Sequence, residues 1–134
     1  MIADWATQYV GLPFQWNGYD RDGIGCYGLV ALVLREQYNI ELPRHDDIAD
    51  LLETTGTADV PLVPGWEQIG LSNARAGDVL HMQGIHHGKI VPMHIGVFVS
   101  SIHALHIEQE AGSCIVDVTN RKHSWRVIGA HRHA

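Results

Sequence analysis

The periodicity of the apolar residues changes once along this chain, at residues 76–78, and this change constrains the fold more than any other feature. Before it, residues 29–34 are apolar on nearly every side, which predicts a helix over Cys26–Tyr38 that is buried all round. After it, apolar and polar residues alternate, as they do in half-buried strands. Helices followed by neighbouring antiparallel strands predict an α+β fold.

The same patterns predict the other elements. Residues 2–10 have the apolar spacing of an amphipathic helix, and Asp46 or Asp47 can cap a third helix that runs to Leu52. Segments 14–25 and 54–75 carry recurrent Gly, Pro, Asn and Asp residues and are predicted to be loops. Strands are expected at residues 79–82, 91–99, 102–108, 114–118 and 125–131. We therefore expect N-terminal helices packed on an antiparallel sheet of about five strands.

Size and charge exclude several classes of protein. With 134 residues, the chain is expected to form one domain over residues 1–134. Nine basic and fifteen acidic residues give a net charge of −6, and no cluster of Lys and Arg occurs, so nucleic acid and anionic membrane surfaces are not expected partners. No run approaches the ~18 apolar residues of a membrane-spanning helix, which argues against membrane insertion.

The first ten residues bear on localisation. They carry Asp4 and no basic residue, unlike the start of a secretory signal peptide. We therefore expect the protein to be made in the cytoplasm and to reach any other place by another route.

Cys26 lies where a Gly-rich loop turns into the buried helix. The amides of the first helical turn and the helix dipole stabilise negative charge, so a thiol at this position is biased towards the nucleophilic thiolate. A small buried side chain that begins a core helix is an equally good interpretation of Cys26 alone. Cys114 lies in a predicted strand, where packing is the stronger interpretation. Two cysteines allow at most one disulfide.

A cysteine nucleophile needs a histidine base and a group that orients the base. His94 lies in the predicted strand 91–99, on the same face as Gly96, and His106 lies in the following strand. A two-residue loop between these strands would point the two rings to opposite faces. A loop with an odd number of residues points both rings to one face, and the loop 99–101, for example, would place His94 directly opposite His106. A catalytic pair therefore requires an odd loop or a bulge.

The other histidines do not predict a metal site, and the sequence predicts no cofactor. No set of His, Cys and carboxylate residues has a recognised ligand spacing, so a zinc site is disfavoured. His131 and His133 end the chain beside Arg132 and are expected to be exposed. The histidines considered for a zinc site are His81, His86, His87 and His103.

The sequence resembles the NlpC-type cysteine peptidases, papain-like enzymes that cut bacterial cell-wall peptides. The matching segments are residues 11–18, 25–30, 77–80 and 94–98, followed by His106. The separation of 12 residues between the two histidines is similar to the spacing in that family. The resemblance covers about residues 3–108 and implies the papain-like NlpC-type fold. It also implies Cys26 as nucleophile, His94 as base and His106 as the residue that orients the base.

Three positions differ from the family pattern. Phe14 stands where the family has a Tyr that helps hold the oxyanion, Gly25 where it has an Asp, and Tyr27 where it has a Ser. In the family, the last two positions help to recognise the peptide end of the substrate. Phe14, Trp16 and Tyr27 are the candidate substrate-binding residues, although packing in the core is the stronger interpretation of Phe14.

The C-terminal part of the chain is similar to a narrower branch, the small peptidases encoded among phage and prophage tail-assembly genes. Glu108 and segments 111–113 and 126–133 carry this similarity. It implies a peptidoglycan endopeptidase in a virion tail tip, with peptidoglycan peptides and other phage tail-tip proteins as partners. Two alternatives remain: a structural tail-tip subunit with a degenerate or weakly active site, and acyltransferase or amidase chemistry on the same fold.

Overall fold

The computed structural model describes residues 2–15, 18–42, 66–86, 89–124 and 126–133, which form one long helix and two antiparallel sheets. Helix α1 spans Cys26–Tyr38, as predicted, and the one-turn helix α2 spans Arg121–Ser124. Short 3-10 turns cover Ala6–Tyr9 and Leu71–Asn73. The strands are β1 Tyr19–Asp20, β2 Gly23–Ile24, β3 Trp66–Ile69, β4 Val79–His86, β5 Lys89–Phe98, β6 His103–Glu108, β7 Gly112–Asp117 and β8 Val127–His133.

The main sheet has six strands in the order β3-β8-β4-β5-β6-β7, and every pair in it is antiparallel. Strands β4 to β7 form the meander that the alternating pattern predicts. Strand β8 then returns to pair with the outer side of β4, and β3 pairs with β8 at the edge. Strands β1 and β2 form a separate hairpin in the loop before α1. The α+β class is therefore confirmed.

Helix α1 packs on one face of the sheet because nearly all of its side chains are apolar. Leu29, Val30 and Val33 are fully buried and share a cluster with Ile95 and Val97 of β5. Phe98 of β5 belongs to a second cluster, together with residues of β4, β6 and β8. Successive side chains of a strand alternate between its faces, so β5 contributes to both clusters. The sheet is thus buried on both sides around β5.

The N-terminal segment differs from the prediction. Only Ala6–Tyr9 is helical, as a 3-10 turn, rather than residues 2–10. The backbone on either side is bonded to the sheet instead: the Ala3 amide donates to the Val99 carbonyl, and the Gly11 amide donates to the Ser113 carbonyl. These bonds hold both ends of the segment against the sheet, so tertiary contacts override the helical pattern.

Two further differences concern the predicted loops. Strand β3, at residues 66–69, lies inside segment 54–75, and the β1–β2 hairpin lies inside segment 14–25. The four residues of β3 form a strand by pairing with β8, a long-range contact that local composition does not reveal. The third predicted helix, from Asp46 or Asp47 to Leu52, lies outside the described residues. Within the described ranges, no helix has the length and hydropathy needed to cross a membrane.

Candidate active site

Two glycines set the position of Cys26, the first residue of α1. The amide of Gly25, the N-cap residue, donates to the carbonyl of Gly18 at 3.0 Å. A Cβ atom added to Gly28, in the first turn of α1, would lie 2.0 Å from the same carbonyl oxygen. Only glycine at position 28 lets the loop lie this close to the helix. The loop therefore packs directly against the helical turn that begins with Cys26.

The backbone amides of Cys26, Tyr27 and Ile95 act on the sulfur of Cys26 and favour its thiolate form, which lowers its pKa. Ile95 directly follows His94 in β5, so the sulfur lies next to the strand that carries the predicted base. The β5–β6 ladder is limited to Val97↔Leu105 and Phe98↔Ala104, which leaves the Ile95 amide beyond its paired part. The structure thus brings the N-terminus of α1, with Cys26, to the part of β5 that lies just beyond its pairing with β6.

Burial has the largest effect on the Cys26 thiol, and it raises the pKa of Cys26 above its ordinary value. The three amides act in the opposite direction, as expected for a helix start, and the charge of Glu108 raises the pKa further. The predicted bias towards a thiolate is therefore wrong for the free protein. Its resting form is the neutral thiol.

His94 and His106 form a direct hydrogen bond, with His94 Nε2 and His106 Nδ1 separated by 3.0 Å. Both residues are buried. Burial first, and then the positive charges of His106 and Arg126, lower the pKa of His94 to about 3. At neutral pH His94 is thus an uncharged imidazole, as a proton acceptor must be.

The β5–β6 loop has an odd number of residues, as the catalytic pair requires. The amide of Val99 donates to the carbonyl of His103, so the loop consists of residues 100–102. The register differs from the expected one by two residues. Val97 pairs with Leu105, which places Gly96 rather than His94 opposite His106. The two histidines are therefore diagonal neighbours on one face, and their rings meet across the space that the missing side chain of Gly96 leaves.

Two residues that the site prediction did not include complete the cluster. Oε1 of Glu108 lies 3.7 Å from Nδ1 of His106, and the guanidinium of Arg126 binds the same carboxylate. Glu108 follows His106 by two residues in one strand, so the alternation of side chains already places both on one face. Arg126 precedes β8, far along the chain, and no local sequence signal connects it to His106.

Donor atoms of His94, His106 and Glu108 lie within 4.8 Å of one another, a spacing that a metal ion could use. Two observations favour a hydrogen-bonded cluster instead. Ring nitrogens of the two histidines face each other at hydrogen-bond distance. The positive charge of Arg126, bound to the Glu108 carboxylate, would repel a cation at the same position.

The three candidate substrate-binding residues differ in their surroundings. Phe14 is partly buried, packs against the core beside α1 and forms an isolated bridge with Ile24. Tyr27 is 5% exposed and makes an edge-to-face contact with Tyr19. Trp16 lies outside the described residues. A substrate contact for any of the three stays a prediction.

Cys114 and two further histidines, His81 and His131, lie in the strands of the main sheet. Cys114 pairs with His106 in the β6–β7 ladder, and both cysteines are free thiols. His131 is 3% exposed, so the expectation that it is exposed is wrong. Its ring packs edge-to-face on the buried ring of His81, with 4.9 Å between the ring centres, because β8 turns back to pair with β4. The side chain of His133 lies outside the description.

A half-buried cysteine at a helix start, beside a strand that carries a hydrogen-bonded histidine pair, is the arrangement of a thiol-dependent acyl-transfer site. Comparison with protein families identifies the class further. The NlpC/P60 family profile matches residues 11–132, and the chain belongs to this family.

The chain is also similar, at low identity, to curated proteins of Escherichia coli. The chain is 26% identical over 114 residues to a protein of Escherichia coli K12 named murein DD-endopeptidase MepS/murein LD-carboxypeptidase. Proteins of the same name from Escherichia coli O6:H1 and O157:H7 match equally well. The match covers 85% of this chain and 52% of the relative, so the chain spans about half the length of these proteins.

Solved structures with the same fold include a lipoprotein-like NLP/P60 family protein of Staphylococcus aureus, with a TM-score of 0.64 and 22% identity over 95% of this chain and 38% of that one. The NlpC/p60 domain of the peptidoglycan hydrolase SagA has a TM-score of 0.63 and 18% identity, over 95% and 92% of the two chains. A family member from Bacillus cereus has a TM-score of 0.67 and 18% identity, over 95% and 37%. At these identities the likeness concerns the fold.

Proposed function

We propose that this protein is a cysteine endopeptidase that hydrolyses stem-peptide bonds of peptidoglycan, with Cys26, His94 and His106 as its catalytic set. One observation carries the proposal: the backbone amide of Ile95, the neighbour of His94, acts on the Cys26 sulfur, and His94 is hydrogen-bonded to His106. Family membership supports it, and so do the names of the Escherichia coli relatives and of SagA, which describe murein or peptidoglycan hydrolysis by those proteins.

In the proposed reaction, Sγ of Cys26 attacks the carbonyl carbon of the peptide bond while Nδ1 of His94 accepts the thiol proton. The carbonyl oxygen becomes an oxyanion, for which the backbone amide of Cys26 is the candidate donor. The C–N bond then breaks, His94 returns its proton to the leaving amine, and a thioester remains on Cys26. Water, deprotonated by His94, attacks the thioester, releases the new carboxyl group and restores the thiol.

His106 acts through His94. The two facing nitrogens, His94 Nε2 and His106 Nδ1, lie 3.0 Å apart. In the proposed mechanism Nε2 of His94 donates to Nδ1 of His106, which fixes the ring and leaves Nδ1 of His94 for the thiol. His94 thus has one nitrogen for orientation and one for proton transfer. Phe14 has no hydroxyl group to add to the oxyanion site, so this proposal relies on backbone donors.

We assign the protein to a phage tail tip, where it would act during penetration of the cell wall. The similarity of residues 105–133 to the tail-assembly branch supports this location. The test is mass spectrometry of virions purified after prophage induction in the source bacterium. Peptides of this chain in the tail fraction are expected, and their restriction to uninfected envelopes would contradict the assignment.

A structural tail-tip subunit is the second candidate. Gly25 and Tyr27 replace the Asp and Ser of the family pattern, and the Tyr27 side chain is buried against Tyr19 rather than exposed to a ligand. A subunit kept only for assembly would tolerate these changes.

Digestion of purified sacculi separates the two candidates. We expect the wild-type protein to release muropeptides, and mass spectrometry of these products identifies the bond that is cut. Cys26→Ser, His94→Ala and His106→Ala should reduce release by at least about a hundredfold, whereas the matched control Cys114→Ser should retain it. A wild-type protein that is folded but no more active than Cys26→Ser would favour the structural subunit.

A further inference from the structure

Glu108 and Arg126 form an ion pair directly beside the two histidines. Oε1 of Glu108 lies 3.7 Å from Nδ1 of His106, the same nitrogen that faces His94. The guanidinium of Arg126 is hydrogen-bonded to this oxygen, and its side chain is only 7% exposed. A nearly buried charge pair is costly to desolvate, so its position against a catalytic pair requires an explanation.

The backbone of β4 holds Arg126 in place. The β4–β5 register shifts between Met82 and Gly84, so Gln83 is left out of the regular ladder. Its carbonyl accepts a bond from Nε of Arg126 at 2.9 Å, and its amide donates to the Arg126 carbonyl at 2.7 Å. The bulge thus fixes both the backbone and the side chain of Arg126 and directs its guanidinium at Glu108.

Only one proton can lie between His94 Nε2 and His106 Nδ1, and its position decides whether His94 can act as a base. When His94 carries it, Nδ1 of the neutral ring has a free lone pair for the thiol proton. When His106 carries it, Nε2 of His94 becomes the acceptor, and neutral His94 must hold its own proton on Nδ1. In that tautomer the nitrogen that should accept the thiol proton is blocked.

An isolated carboxylate near His106 would favour the blocked tautomer, because it attracts a proton to the nearest ring nitrogen, Nδ1. The charge of Arg126 offsets this attraction. An isolated Arg126 would in turn oppose the imidazolium that forms when His94 accepts the thiol proton. The pair has almost no net charge, so it avoids both effects.

We propose that Glu108 and Arg126 are positioning residues that act through His106 and keep its Nδ1 atom as an acceptor, so that Nδ1 of His94 stays available to Cys26. This inference rests on the proposed function, because it concerns the same site. It adds a charge-balanced ion pair to the Cys26–His94–His106 set.

The groups that share this electrostatic environment come from five parts of the fold. Cys114 on β7 is among them: its pKa is raised by burial and by Glu108, and Arg126 acts in the opposite direction. Among the residues that the structure describes, the titratable or charged groups here are Cys26 of α1, His94 of β5, His106 and Glu108 of β6, Cys114 of β7 and Arg126.

The test measures tautomers and titration, so it does not depend on turnover. Long-range ¹H–¹⁵N spectra of the labelled protein, assigned with His94→Ala and His106→Ala, report which ring nitrogens carry protons. In the wild type we expect bare Nδ1 atoms on both rings. In Arg126→Met we expect a proton on His106 Nδ1. The titration midpoint of the His94–His106 pair should be about one pH unit higher, because a positive charge has been removed.

Glu108→Gln removes a negative charge from the site, whereas Arg126→Met removes a positive one, so the two variants should shift the titration in opposite directions. Glu108→Gln leaves Arg126 unbalanced, so the pH midpoint for alkylation of Cys26 by iodoacetamide should fall by about one unit. The double variant Glu108→Gln/Arg126→Met should return close to the wild type. Arg126→Lys keeps the charge but loses the planar fork, so it should retain the wild-type tautomers even where stability is lower.

A matched control distinguishes the effect of the Arg126 charge from the loss of stability that follows the removal of any buried ion pair. Arg132 makes a two-pronged ion pair with Asp78 at 2.9 and 2.8 Å, and this pair does not involve His94 or His106. Arg132→Met should lower the melting temperature without changing tautomers or midpoints. If Arg126→Met keeps the wild-type tautomers and midpoint, or if Arg132→Met changes them to the same extent, the inference is wrong.

The inference and the proposed function can fail separately. Wild-type protein that digests sacculi, with tautomers unaffected by Arg126→Met, would contradict the inference alone. Protein that does not digest sacculi, but shows the expected response to Arg126→Met, would contradict the function and support the charge balance.

Discussion

Gly96 lies across the β5–β6 pair from His106, and the absence of its side chain lets the His94 and His106 rings meet. A Cβ atom at position 96 would be 2.6 Å from the Leu105 carbonyl oxygen and 3.2 Å from Cβ of His106. The first contact is with backbone, which cannot move without displacing β6. The hydrogen-bonded histidine pair thus depends on a glycine two residues after His94.

Gly96→Ala should therefore push β6 away and lengthen the His94–His106 hydrogen bond. We expect muropeptide release to fall by about ten- to a hundredfold, since small misplacements of a catalytic group have effects of this size. Circular dichroism should still show a folded protein with a lower melting temperature.

Gly129→Ala is the matched control, because its Cβ would meet only the end of the Gln68 side chain, at 3.7 Å. It should retain wild-type activity. Equal losses in both variants would show that the effect of Gly96→Ala comes from general destabilisation of the sheet.

The hairpin also shows how far the sequence could predict this site. Side chains alternate along β5 and β6, so an odd number of loop residues between these strands puts His94 and His106 on the same face. The observed β5–β6 loop does have an odd number of residues. The register itself depends on the turn: Oγ of Ser100 accepts bonds from the amides of Ile102 and His103, which closes a three-residue loop. Sequence periodicity does not encode that choice, so the sequence could require an odd loop but could not distinguish 99–101 from the observed 100–102, whose registers differ by two residues.

Long-range contacts account for the other differences. Helix α1 was predicted with its observed bounds because its apolar pattern is local. The prediction that it is buried all round is wrong for its last turn, where Arg35 and Glu36 are exposed. Strand β3 exists only by pairing with β8, and Arg126 reaches Glu108 only because a bulge in β4 bonds it. Neither pairing leaves a local pattern in the sequence. The helix and the meander were therefore predictable, whereas the edge strand and the ion pair were not.

The thiol of Cys26 should react slowly near neutral pH in the absence of substrate. Burial disfavours the thiolate and raises the pKa of Cys26, so its rate of alkylation should climb with a midpoint above the ordinary ~8.5. The measurement is the rate of iodoacetamide modification at Cys26 against pH, with glutathione as the reference thiol. A midpoint below 7 would instead show a thiolate–imidazolium pair in the resting protein.

Ser113→Ala should destabilise the protein, because Ser113 connects the N-terminal segment to β7. Its buried hydroxyl donates to the Tyr9 carbonyl and accepts the Leu12 amide at 2.7 Å. Its removal leaves both backbone groups without these bonds, at a cost of about 1–3 kcal/mol in the free energy of unfolding. Urea unfolding measures this difference. The exposed Ser101→Ala is the control, and a loss no larger than that of the control would contradict this role.

Glu36 should stabilise the fold in a pH-dependent manner. It accepts hydrogen bonds from Tyr9 at 2.7 Å and from both terminal nitrogens of Arg21, and Arg21 has the largest part in lowering the pKa of Glu36 to about 2. A carboxyl whose pKa is depressed by folding stabilises the folded state above its ordinary pKa of ~4.3, and this contribution disappears as the pH falls towards 2.

Because the Glu36 side chain is 32% exposed, the contribution at pH 7 should not exceed about 1 kcal/mol. We expect Glu36→Gln to lower the melting temperature at pH 7 by a few degrees relative to the wild type, and the two proteins to converge near pH 2. Thermal unfolding at a series of pH values measures this, with Glu110→Gln, in the exposed turn after β6, as the control. A difference that persists unchanged at pH 2 would mean that Glu36 acts through packing of its side chain, since most of the charge-dependent contribution is lost at that pH.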